Sequence, residues 1–226
     1  MLVQIANVLP SEELAKMRER LGRATWVDGR ATAGPQSAQV KQNLQLSEDG
    51  DHARELGTII IRALERNASF MSAALPRHVF PPLFNRYEPG MGFGPHVDNA
   101  IRQVGQTPLR MRTDISATLF LCDEAEYDGG ELIVEDTYGT HRVKLPAGDM
   151  ILYPATSLHR VAPVVRGTRV AAFFWIQSMV KDDAARNLLF DMDRSILELA
   201  QTSPSAPALL RLTACYHNLI RRWAEM

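Results

Sequence analysis

His96 and Asp98 stand two residues apart in Gly94-Pro95-His96-Val97-Asp98-Asn99; a further histidine, His159, follows 61 positions later, and Arg169 ten after that. On an extended strand residues i and i+2 point to the same side, so His96 and Asp98 can close on one metal ion. His159 must then come from a distant strand, which requires a barrel. Two imidazoles and one carboxylate leave coordination positions open, which suits non-heme Fe(II). Zinc accepts the same ligand types, but an open-sided set followed by an arginine favours iron. His52, His78, His141 and His217 have no carboxylate at a spacing that continues to a third ligand.

Arg169 opens RVAAFFWIQS, an apolar run that reads as a buried strand. A guanidinium there needs an anion, because an unpaired buried charge is costly, and its planar fork fits a carboxylate. A protein carboxylate would serve. So would a small diacid that chelates the metal through its 2-oxo end, which is 2-oxoglutarate. Thr118, on the same side of its strand as Ser116 and Phe120, is a candidate second donor to the distal carboxylate. Tyr87 is a candidate donor near the metal. Both also read as ordinary strand residues.

The elements that must position these groups follow from pattern. Residues 2–8 predict a short strand. Ser11 with Glu12 and Glu13 predicts a helix start, continued by Leu14, Met17 and Leu21. Residues 24–46 predict strand, long loop, strand. Asp49 or Asp51 is the expected cap of a second helix with Leu56, Ile59, Ile60, Ala63 and Leu64 on one face. From residue 79 short β-rich runs follow at 82–88, 94–99, 113–121, 131–136, 140–145, 149–153, 159–164 and 168–178, separated by Gly-rich turns. Such spacing implies a double-sheet roll or barrel. Helical periodicity returns at 183–201 and 207–226, broken by Ser-Pro-Ser-Ala-Pro at 203–207.

The chain has 226 residues, 46% of them hydrophobic, enough for one sizeable core with a helical appendage. A formal net charge of −1 gives no global argument for nucleic acid. Two distant cysteines do not make a disulfide framework, and no stretch approaches the roughly 20 apolar residues of a membrane span. The expected setting is cytoplasmic, with no nucleic-acid or membrane partner.

The run YEPGMGFGPHVD at 87–98, the GGEL turn at 129–132 and GDMILYPATSLHRVAPVVRGTR at 148–169 resemble the Fe(II)/2-oxoglutarate dioxygenases of the prolyl-4-hydroxylase type. With WVDGRATAGPQSAQVKQNLQL and the helical tail, nearly the whole chain resembles the bacterial PKHD-type hydroxylases, often linked to iron uptake. The resemblance implies an α+β fold with a mainly β core: a double-stranded β-helix (jelly-roll) with N-terminal helices outside and a C-terminal helical extension. It divides the chain into 1–77, 78–178 and 179–226. It implies Fe(II) on His96, Asp98 and His159, which are also the catalytic residues, and 2-oxoglutarate on Arg169, with dioxygen as co-substrate and ascorbate as reductant. Phe120 departs from relatives that place a tyrosine at the 2-oxoglutarate tail. The expected reaction is hydroxylation of peptidyl proline or lysine, or of a small molecule such as a siderophore, with release of succinate and CO2. The alternative is a non-catalytic sensor of iron or 2-oxoglutarate. Arg102, Arg110 and Arg112 make the loop 100–112 a basic lid that would favour an acidic substrate. Tyr216, Leu219 and Trp223 beside Arg221 and Arg222 predict a homodimer through residues 207–226.

Overall fold

Period-two burial organises the computed structural model, which describes all of residues 1–226 except Ala33, Asp49, Gln106 and Tyr138, and omits the side chains of Ala31, Thr32, Pro35 and Gln36. A large antiparallel sheet runs in the order β1 (Val3–Ile5), β14 (Met150–Pro154), β10 (Ile115–Phe120), β17 (Arg169–Ser178), β6 (Leu83–Tyr87), β4 (Leu44–Leu46) and β2 (Trp26–Asp28), with β5 (Pro76–Val79) also beside β17. A smaller sheet runs β13 (Gly139–Val143), β12 (Leu132–Asp136), β15 (Leu158–Val161), β7 (Gly92–His96) and β3 (Lys41–Gln42). Two two-stranded pairs complete it: the hairpin of β8 (Ile101–Gln103) with β9 (Arg110–Arg112), and the long-range pair of β11 (Tyr127–Gly129) with β16 (Val164–Gly167).

Every residue of β10 is buried, because the large sheet is covered on both faces. Ile115, Ala117 and Leu119 face outward with Met150, Leu152, Phe174 and Ile176 into a core shared with the helices. That core takes Met17 and Leu21 from α1 (Ser11–Gly22), Leu56, Ile60 and Leu64 from α3 (Asp51–Glu65), and Phe70 from α4 (Ala68–Ala74). Each such side chain contributes about 1.5–3 kcal/mol of apolar burial. The alternate residues face the smaller sheet. Phe120, Tyr87 and Ile151 pack there against Leu132, Val134 and Val161. One strand therefore builds a dry helix-facing core and the lining of a roll.

A further short helix, α2 (Pro35–Ala38), precedes β3. The start of α1 is capped by Pro10 without a side-chain hydrogen bond. Gly50 caps α3, Asp51 being its first residue and not its cap; the other expected cap, Asp49, lies outside the described residues. The run expected at 94–99 is β7, which ends at His96, so Asp98 lies beyond the strand. The expected lid over 100–112 is the β8–β9 hairpin, and its Met111 and Val104 pack with Phe80, Leu83 and Trp175.

The tail is a helical hairpin of α5 (Asp183–Thr202) and α6 (Pro207–Trp223). Asp182 caps α5 by accepting from Ala185 N at 2.7 Å. Leu189, Tyr216, Leu219, Ile220 and Trp223 pack on Leu75 and Val180 of the same chain. Arg112 links this tail to the hairpin: its guanidinium holds Asp114 at 2.6 and 3.1 Å and Glu225 at 3.3 Å. No helix among the described residues is long and apolar enough to cross a membrane.

Candidate metal centre

β7 and β15 are neighbours in the smaller sheet, and their register sets His96 directly opposite His159. The third ligand thus comes from the adjacent strand of one sheet, distant in sequence only. The ring centroids of the two histidines lie 4.2 Å apart. Asp98, just past the strand end, brings Oδ2 to 3.7 Å from His159 Nε2. One donor atom from each of His96, Asp98 and His159 lies within 4.8 Å of the other two.

Backbone carbonyls orient both rings. His96 Nδ1 lies 2.8 Å from Gly94 O and His159 Nδ1 3.0 Å from Ser157 O. Each carbonyl can only accept, so Nδ1 donates and Nε2 is the ring nitrogen open to a metal. Phe93 stacks on His96 at 3.6 Å between centroids, and Tyr153 meets His159 edge-on at 5.1 Å. Burial, then the neighbouring His159, pulls His96 down to about 4. A neutral imidazole at neutral pH is what a metal ligand must be. Ser116 Oγ donates to Asp98 Oδ2 at 2.6 Å and fixes a carboxylate that no strand holds.

The centre opens into a cleft of about 770 Å³, solvent at its mouth included. Tyr87, Thr118 and Arg169 line this cleft, as does each of the three candidate ligands. Arg169 is 1% exposed, opposite Tyr87 in the β17–β6 register. Its guanidinium lies 5.4 Å from the Tyr87 ring centroid and 5.3 Å from that of Phe120. Its one hydrogen bond among the described residues is a long 3.5 Å contact to Asn85 Oδ1, and its buried Nε has no partner. No protein carboxylate pairs with it among the described residues, and a buried guanidinium so placed can accept an anion from a ligand. Tyr153 and Thr118 share a hydrogen bond, and burial pushes the phenols of Tyr153 and Tyr87 up, so both stay protonated donors. The donor set fits Fe(II) with open positions, and the orphaned fork fits a diacid beside it.

Some cleft residues carried no signal in the sequence. Lys41 comes from the edge strand β3, and Asn85 from β6. Ser116 was visible only as a neighbour of Thr118. Of the three loop arginines, Arg102 alone lines the cleft; Arg112 is committed to Asp114 and Glu225, and Arg110 is exposed.

The chain is similar to known proteins over its whole length. The pattern of the 2OG-Fe(II) oxygenase superfamily matches residues 82–177, and that of the PKHD-type hydroxylase C-terminal domain matches 183–225. A PKHD-type hydroxylase of Methylobacterium nodulans is 59% identical over 227 residues, covering 100% of both chains. The crystal structure of a Pseudomonas putida prolyl-4-hydroxylase superposes with a TM-score of 0.54 at 18% identity, over 78% of this chain and 92% of that one. HygX from Streptomyces hygroscopicus, solved with nickel, 2-oxoglutarate and hygromycin B bound, gives 0.52 at 16% identity, over 78% and 82%.

Proposed function

Because the chain belongs to the PKHD-type hydroxylases of the 2OG-Fe(II) oxygenase superfamily, we propose that it hydroxylates its substrate at a centre made by His96, Asp98, His159 and Arg169. The protein is a 2-oxoglutarate-dependent dioxygenase that uses Fe(II), with 2-oxoglutarate and dioxygen as co-substrates. In this reading His96, Asp98 and His159 hold the iron and are the catalytic residues. Arg169 anchors the far carboxylate of 2-oxoglutarate with Thr118 as a second donor, and Tyr87 is a donor to the carboxylate nearer the metal. Bound Fe(II) supplies the oxidising chemistry: 2-oxoglutarate and O2 are consumed, succinate and CO2 leave, and one oxygen atom enters a substrate C–H bond.

The chain's own part is positional. Gly94 and Ser157 carbonyls fix the histidine tautomers, and Ser116 fixes Asp98. The stacked Phe93, with Phe173 and Trp175, gives the cleft an aromatic wall beside the candidate ligands. Its substrate in this proposal is peptidyl proline or lysine, or an iron-uptake small molecule such as a siderophore, with ascorbate as reductant. The division at 1–77, 78–178 and 179–226 belongs to the same reading.

The observation that carries the proposal is the buried Arg169, without a carboxylate partner among the described residues, in one cleft with three converging metal donors. Succinate formation from 2-oxoglutarate, Fe(II) and O2 tests it and separates an enzyme from a sensor. Asp98→Ala is expected to abolish it. Arg169→Ala is expected to raise the KM for 2-oxoglutarate by an amount equivalent to about 2–5 kcal/mol, with metal affinity little changed. Near-normal turnover in Asp98→Ala, or an unchanged KM in Arg169→Ala, refutes the assignment. A homodimer is proposed through residues 207–226, supported by the exposed Leu210 and Leu212. Tyr216, Leu219 and Trp223 serve the chain's own core instead. Light scattering at micromolar concentration decides it.

A further inference from the structure

Two cations besides Arg169 line the cleft. Lys41, on β3, is 4% exposed. Its Nζ donates to Gln45 Oε1 at 3.2 Å and lies 5.4 Å from the Phe93 ring and 5.9 Å from the Phe173 ring. Arg102, on β8, lays its guanidinium 4.0 Å from the Trp175 ring centroid and 4.9 Å from that of Phe80. Arg102 makes no hydrogen bond or ion pair among the described residues, and its Nε is buried without a partner. The aromatic rings attract the cation through its charge, and its Nε keeps a hydrogen-bonding capacity that no described residue meets.

We propose that Lys41 and Arg102 form an anion-binding subsite for the primary substrate, which carries a carboxylate or equivalent anionic group near the C–H bond that is hydroxylated. The inference rests on the oxygenase reading above and names the substrate class for that site. Position along β17 separates this subsite from the anchor for 2-oxoglutarate. Arg169 begins β17, whereas Trp175, beneath Arg102, stands six residues further along the same extended strand. The Cα atoms of Arg169 and Trp175 are thereby roughly 20 Å apart. A five-carbon diacid held by Arg169 and the metal centre is committed at both ends, so the cation over Trp175 is left for another ligand.

Charge balance supports the assignment. Burial first, then the like charge of Arg102, pulls Lys41 down to about 8, so the two cations already repel across the cleft. Glu48 and Asp98 are the acids whose fields reach both. Asp98 is committed to the metal in this reading. An incoming carboxylate would relieve the repulsion and satisfy Arg102, the arrangement that makes buried unpaired donors selective for their ligand. Among the loop arginines only Arg102 takes part, which narrows the general expectation of a basic lid.

The test uses calorimetry on the full chain loaded with Fe(II) and 2-oxoglutarate without oxygen. The probes are N-acetyl-proline and N-acetyl-lysine with free carboxylates, each paired with its carboxamide. Wild type is expected to bind the carboxylates about tenfold or more tightly than the amides, as a charge-assisted contact requires. Lys41→Gln and Arg102→Gln should each shrink that ratio, and the double variant should bring it near one. Lys41→Arg should restore part of it. Amide binding controls for folding. Should Arg102→Gln fail to fold, Lys41→Gln and the loss of the wild-type ratio with added salt carry the test. A wild-type ratio near one, or a ratio that survives in Lys41→Gln, overturns the subsite. A wild type that makes no succinate in air overturns the oxygenase reading instead.

Discussion

Ser116 does for Asp98 what a strand does for the two histidines. Asp98 has left β7, and its carboxylate is set by the hydroxyl at 2.6 Å. Ser116→Ala is therefore expected to weaken Fe(II) or Mn(II) binding about 10–100-fold, as for other groups that orient a metal ligand, with the melting temperature little changed. Metal titration of the metal-free chain checks it, and an unaltered affinity would mean that the backbone alone places Asp98. Lys41 gives a pH signature. Its amine sits at about 8 against an ordinary 10.5. Between those values the unfolded chain holds a proton that the folded chain has shed, so stability rises with pH across the window and the penalty of the buried charge is complete below it. Lys41→Met removes the penalty. The variant's advantage over wild type in urea unfolding should shrink by about 1–3 kcal/mol on going from about pH 7.5 to about pH 10. A constant difference would show that the charge is not buried. His96, Asp98, His159 and Arg169 were legible because their types and order carry the chemistry by themselves. Lys41 and Ser116 were not, because only the sheet register brings them to the cleft, and of the three loop arginines the sequence could not single out Arg102, which only the hairpin carries there.

At the scale of elements, long alternating runs announced themselves. β10 and β17 fall within the expected 113–121 and 168–178, since period-two burial leaves a strong imprint. The short pairs β8–β9 and β11–β16 left none: three or four residues are too few to show a period, and their partners are remote or polar. The turn at Gly129-Gly130 was visible, and the structure gives its reason. Gly129 has φ +70°, and a Cβ there would lie 2.2 Å from Pro163 O. The β11–β16 register shifts at this point, and Pro163 follows closely on β15, which carries His159. Gly129→Ala is expected to lower unfolding free energy by about 1–3 kcal/mol from backbone strain alone, and to weaken metal binding as the end of β15 moves. A stable variant with normal metal affinity would show that the strand end adjusts freely.

For the whole molecule, the tail is fastened at both ends of its travel. Arg186 is buried and donates to the carbonyls of Val180 and Lys181 at 2.8 and 2.7 Å, and Glu225 N donates to Met179 O at 2.7 Å. Leu189, fully buried, is the apolar pin between them. Leu189→Ala is expected to cost about 2–5 kcal/mol, read as a fall in melting temperature of about 2–4 °C per kcal/mol for a chain of this size. A fall much smaller than that would mean that the tail is not part of the cooperative unit. The aromatic stripe of α6 was legible in the sequence, but its destination was not, because periodicity says that a face is covered and never by what. The three tryptophans of the chain are shared out in the same way: Trp26 on β2, Trp223 on α6, and Trp175 in the cleft wall beneath Arg102. With Trp26→Phe and Trp223→Phe, all indole emission would arise from the cleft wall. The enzyme then carries its own optical reporter, dimmed when an open-shell ion enters the centre and shifted in colour when an anion draws the guanidinium off the ring.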